Sequence, residues 1–255
     1  MRRLESKLRV LGSLLAAAPW LPESSMTGDD SAFHLVLSGD PGLFAIVRLS
    51  LLVSLSAVLF AALIGVPAGA LLALTRFRGR EAAIVVLNAM MGLPPVVIGL
   101  AIFLLLSRSG PLGSWSLLFT PQAMVIAQTI LVAPIIAALS RQTIEDLWVE
   151  YREELAAMNV GPARRIATLV WDARFSLVTA LLAGFGRAAA EVGAIIVVGG
   201  NIEGFTRTMT TAIALETSKG DLPLAVGLGM VLIVIVILIN ALAWAVRRAA
   251  EQYAG

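Results

Sequence analysis

The sequence predicts an all-α membrane protein with about five transmembrane helices, and three observations lead there. Of its 255 residues, 58% are hydrophobic and 14% charged, and the mean hydropathy is +0.90. One soluble core would not bury so apolar a chain. Five apolar runs, at 43–74, 82–106, 118–140, 176–198 and 224–246, are each long enough to cross a bilayer as a helix. Aromatic residues make up only 6% and no alternating pattern occurs, which argues against a barrel. Cysteine is absent, so no disulfide framework or thiolate metal site is available. The pI of about 9.5 reflects a formal charge of only +2, and no basic stripe suits nucleic acid.

Residues 1–32 read as a leader or as a misassigned start. Arg2, Arg3, Lys7 and Arg9 precede a modest apolar run at 10–21, which is too short to span and only weakly resembles a signal-peptide core. Translation starting at Met26 is the other reading. His34 stands alone in an expected interfacial helix, without partners for a metal. The membrane domain is expected over 33–248. Its first span opens on Ser38-Gly39-Asp40-Pro41-Gly42, with Asp40 suited to an N-cap and Pro41 to the first helical position. A short interfacial turn before Arg48 is allowed for.

Span two contains Pro94 and Pro95, which remove two backbone donors and predict a kink that serves either packing or a transport pathway. Gly92, Gly99, Gly184, Gly186 and Gly193 suit close helix contacts. After span three comes a polar loop, 141–175. Within it 144–158 lacks proline and glycine; Trp148, Tyr151, Leu155 and Met158 form an apolar stripe, and Glu150, Glu153, Glu154 and Ala157 an acidic and small one. A helix is expected there, stopped by Gly161-Pro162. It serves either as an interfacial anchor or as a docking face.

Span four carries Arg187 and Glu191, four residues apart and so on one helix face. An unpaired charge at that depth would cost several kcal/mol, so a salt bridge is expected. The pair either locks span four against its neighbours or places Arg187 beside an anion pathway with Glu191 restraining it. Gly199-Gly200-Asn201 ends the span, and Thr210 and Thr211 begin a short helix running to Lys219 and stopped by Gly220. Gly200, Asn201, Thr210 and Thr211 are candidates for an outer mouth, with ordinary capping as the alternative use of the hydroxyls. Residues 249–255 form a tail.

Arg76, Arg78 and Arg80, then Arg141, Arg152, Arg164, Arg165 and Arg174, then Arg247 and Arg248 all fall on one side if five spans alternate. The positive-inside rule makes that side cytoplasmic, the C-terminus included. No P-loop, metal cluster or nucleophile–base set is found, so the chain is not expected to be an enzyme.

The loop resembles the coupling segment of ABC importer permeases, whose pattern is Glu-Ala-Ala, three variable residues, then Gly. Ala156, Ala157 and Gly161 match it; Leu155 stands at the usual Glu position and the acid falls one residue earlier, at Glu154. Further likeness lies in LPPVVIGL at 93–100, in the SGDPGLF start of span one, and in GFGRAAAEVGAIIVVGGNIEGFTRTMTTAIALETSKGDL at 184–222. These resemble the type I permeases of the tungstate, molybdate and sulfate group, and the run after Asn201 favours the tungstate branch. The resemblance implies the membrane subunit of a binding-protein-dependent importer of a tetrahedral oxyanion. It implies a homodimer, cytoplasmic ABC ATPase subunits gripping Glu153, Glu154, Ala156, Ala157 and Gly161, and an extracytoplasmic oxyanion-binding protein. It places the complex in the inner membrane, with no cofactor in this chain and ATP and Mg on the ATPase. ATP binding would favour the outward-facing state, and hydrolysis would reset it. The rival classes are an ion-coupled secondary transporter or channel, working through Arg187, Glu191 and the proline break, and a non-transporting scaffold.

Overall fold

A computed structural model describes residues 41–254; the leader, His34 and the Asp40 cap fall outside them. Among the described residues every regular element is helical: α1 (Pro41–Leu74), α2 (Arg80–Met91), α3 (Pro95–Leu106), a 3₁₀ turn (Gly113–Trp115), α4 (Pro121–Ala157), α5 (Pro162–Asp172), α6 (Arg174–Ala189), α7 (Gly193–Gly199), α8 (Met209–Lys219) and α9 (Leu222–Ala254). The all-α expectation holds. Three helices, α1, α4 and α9, are by themselves long and apolar enough to cross a membrane. The count reaches five only if two bent pairs, α2 with α3 at 97° and α5 with α6 at 71°, each make one span.

Span two is therefore interrupted at the first of these bends, whereas the second, at Ala173, precedes the run at 176–198, which has its own break between α6 and α7. In span two the expected kink is a full break. Leu93 and Pro94 each precede a proline, which pushes both out of the helical region; Pro94 is extended (φ −64°, ψ 120°) and Pro95 starts α3. In span four α6 stops at Ala189 and α7 starts at Gly193. The amphipathic α5 carries Arg164, Arg165 and Asp172, so the apolar continuation of α6 is α7.

Two further expectations need correction. The helix at 144–158 is not separate, because span three runs into it as the single 37-residue α4; nothing after Pro134 breaks the ladder. No interfacial turn precedes Arg48, as α1 is helical from Pro41.

The core lies along α4. One cluster joins it through Met124, Ala127 and Leu131 to Val53, Ile102 and Val198. A second joins Val132 and Ile136 to Val58, Ala61 and Phe185. A third joins Ile144 and Leu155 to Ala70, Leu169, Ala173 and Leu177. Gly65 and Gly69 bring α1 against the α4 backbone: a Cβ at Gly65 would lie 2.9 Å from the Ala133 carbonyl oxygen, and one at Gly69 would overlap that of Ala137. This is close packing through small residues four apart, which suits a bilayer because lipid supplies no hydrophobic drive between helices. Ile233, Val234, Ile237 and Leu238 of α9 are exposed, which hydrocarbon tolerates and water would not.

Candidate functional site

The interruption of span four is built from polar groups supplied by three helices. At the end of α6 the Ala190 N–H reaches back to the Gly186 carbonyl and the Glu191 N–H to that of Ala188, and side chains add further donors. Gln128 of α4 donates from Nε2 to the Ala188 carbonyl at 2.9 Å, and Thr210 of α8 donates from Oγ1 to the Glu191 carbonyl at 2.8 Å. Glu191 is 3% exposed. Its Oε2 accepts from Arg187 Nη1 at 2.5 Å, and its Oε1 accepts the Ala194 N–H at 3.0 Å, capping α7. The expected Arg187–Glu191 pair thus forms, but at the end of α6 rather than mid-span. Arg187 stays partly exposed, and the pair carries no net charge.

The two breaks abut. A Cβ at Gly193 would sit 2.7 Å from Val96 Cγ2, and one at Gly99 would sit 2.8 Å from the Ala194 Cα. Half-helices α3 and α7 consequently lie side by side in the same direction, starting at their breaks. Pro94 and Pro95 are brought close to Glu191 through this contact.

Of the outer-mouth candidates Thr210 and Thr211 are buried and Gly200 is exposed. Thr210 is committed to the Glu191 carbonyl. Thr211 Oγ1 accepts the Thr208 N–H at 3.0 Å in a capping box at the start of α8. Ser50 of α1 accepts the Met209 N–H at 2.7 Å and fixes the same end. Asn201 donates from Nδ2 to the Thr211 carbonyl, while Gly200 adopts φ +72° as the stop of α7. These hydroxyls make capping and carbonyl hydrogen bonds.

At the far end of α4 a turn protrudes. Asn159 N–H donates to the Ala156 carbonyl (3.0 Å) and Val160 N–H to that of Leu155 (3.2 Å), with Asn159 left-handed at φ +50°. Leu155 and Val160 meet in one apolar cluster. This is a complete Schellman stop. It therefore ends at Asn159 and not at Gly161, which has an ordinary extended φ of −68° as the N-cap of α5. A Cβ at Gly161 would meet nothing within 4 Å. Glu153, Glu154, Ala156, Ala157 and Gly161 are all exposed, whereas Leu155 is buried, which explains an apolar residue there with the acid displaced to Glu154. Met158, expected on the apolar stripe, is 74% exposed at the tip.

Gln128 was not anticipated; an amide amid apolar residues at 118–140 was its available signal. The same holds for Glu145, which joins Arg80 and Arg141. Only the i, i+4 spacing of Arg141 and Glu145 was legible.

No protein-family model matches the chain. It is 42% identical over 206 residues to a probable anion ABC transporter permease protein of Haloferax volcanii, covering 78% of this chain and 88% of that protein. It is 37% identical over 220 residues to the tungstate uptake system permease protein TupB of Peptoclostridium acidaminophilum, covering 86% and 96%. The corresponding protein of Campylobacter jejuni is 34% identical, covering 87% and 92%.

Proposed function

The chain belongs to the ABC transporter permeases, and from that premise we propose that it is the membrane subunit of a binding-protein-dependent importer for a tetrahedral oxyanion, with tungstate as substrate. The carrying observation is the 37% identity to a tungstate uptake permease along 96% of that relative's length. Two copies form the path on a two-fold axis. An extracytoplasmic binding protein delivers the anion, and cytoplasmic ATPase subunits, which hold ATP and Mg, drive the cycle. The complex sits in the inner membrane, with the 141–175 loop and the C-terminus cytoplasmic.

In this reading the turn Glu153–Gly161 is the handle that the ATPase grips. Its exposure and the open space around Gly161 support that role, because a partner approaches closely only where no side chain stands. A continuous α4 carries the handle's displacement into the membrane. The movement is absorbed at the two adjoining breaks, where neither span has a helical ladder to resist it. Arg187 offers guanidinium donors to a passing dianion, while Glu191 offsets its charge so that binding stays weak enough for release. An ion-coupled secondary transporter or channel is not favoured, since the relatives are ABC permeases.

The test is uptake into vesicles holding this chain with its ATPase and binding protein. Tungstate should accumulate only with ATP; accumulation without nucleotide would overturn the reading, and preference of the binding protein for molybdate or sulfate would change the substrate. Because the native chain has no cysteine, single Arg152→Cys and Arg164→Cys variants report orientation. Impermeant thiol reagents should label them only from the cytoplasmic side.

A further inference from the structure

We propose that Glu145 is a positioning residue for transport, the centre of a clamp that makes the handle's rod move α1 and α2 with it; this rests on the handle reading above. Glu145 lies on α4 about two turns before Glu153. Its Oε1 pairs with Arg80 and its Oε2 with Arg141. Arg80 is the first residue of α2, and its Nε donates to the Leu72 carbonyl at 2.8 Å, one of the final carbonyls of α1 that lacks an intrahelical donor. A single guanidinium thus ties the end of α1, the start of α2 and the cytoplasmic extension of α4.

The position matters as much as the bonds. Along the membrane, α1 already follows α4 through Gly65 and Gly69, where backbones touch. Beyond Arg141 the α1–α4 contact continues through Ala70, Ala73 and Ile144, but without the clamp α2 would be joined to the rod only by weak packing, since none of its residues is buried. Beyond α2 lies the 97° break into α3, which rests on the span-four break. The clamp therefore closes the mechanical route from handle to hinge: α4, Glu145, Arg80, α2, the Gly92–Pro94 break. All three ionic side chains are between 18% and 30% exposed, so the clamp contributes to stability as well, and uptake per ATP rather than uptake alone isolates its part in coupling.

The clamp is tested in the vesicle complex by measuring tungstate uptake and ATP hydrolysis in the same sample. Glu145→Gln should leave assembly and ATP hydrolysis intact while uptake per ATP falls about tenfold. Arg80→Gln should match it, the double variant should be no worse than either, and Glu145→Asp should restore most of the coupling. Normal uptake per ATP in E145Q, or additive losses in the double variant, would overturn the clamp. If E145Q does not assemble, R80Q decides by the same criterion, since it leaves α4 unaltered. Gly161→Trp separates the two readings: normal assembly and transport in that variant removes the handle itself, whereas loss of ATPase binding beside fully coupled E145Q removes only the clamp.

Discussion

The chain leaves helical geometry after Ala189 and again after Ala157, and the two exits are solved in different ways. After Ala189 the next N–H groups reach back, Ala190 to the Gly186 carbonyl and Glu191 to that of Ala188, and side chains from distant segments complete the set, Gln128 on Ala188 and Thr210 on Glu191. After Ala157 the freed carbonyls are satisfied by the next residues of the same chain, in the Schellman turn closed by Asn159 and Val160. The first exit depends on the whole bundle being assembled and lies where unpaired groups have no water to turn to. The second is locally complete and can project alone. The second can take a load without being unmade, while the first yields only when the bundle rearranges.

The contrast is broken most directly at Glu191. Glu191→Ala leaves Arg187 unpaired and the Ala194 N–H without an acceptor. It should destabilise the protein by about 3 kcal/mol, the low end for a buried pair because Arg187 retains some exposure; thermal unfolding in detergent or lipid discs measures this, and an unchanged midpoint would refute the role given to the pair. Next come the satisfiers. Thr210→Val should cost about 1–3 kcal/mol through a buried Glu191 carbonyl that loses its side-chain donor, and Gln128→Leu less, about 1 kcal/mol, because the Ala188 carbonyl keeps the Glu191 N–H. The smallest effect on stability is expected at the handle. Gly161→Trp should alter the unfolding midpoint by less than about 0.5 kcal/mol equivalent, as the site is open, while ATPase co-purification falls at least about tenfold. A destabilised but normally assembling G161W protein would reverse the comparison.

Much of this was legible along the chain. The apolar runs at 43–74 and 224–246 correspond to α1 and α9, and Pro94-Pro95 marked the place where span two departs from a helix. The size of that departure was not, because a proline pair states where the ladder is interrupted and not how far the halves turn. Thr210 and Thr211 illustrate a second limit: at the start of a helix a hydroxyl can cap, bind solute or satisfy a neighbour, and only the position of Glu191 decides. Gly161 is a third case. A Gly-Pro after a helical run reads as a stop, yet Asn159 already provides it.

By itself the sequence determined that the chain is a helical membrane protein, where its apolar runs lie, and that Arg187 needs Glu191, since solvation cost and helical spacing act locally. The tertiary structure decided that span four is broken and that α4 continues unbroken to the turn at Asn159. It also decided that Arg80, Glu145 and Arg141 meet. The reason is that a chain can leave a helix where its carbonyls find partners, and when a partner lies on another helix, as Thr210 does for the Glu191 carbonyl, only the packed bundle supplies it.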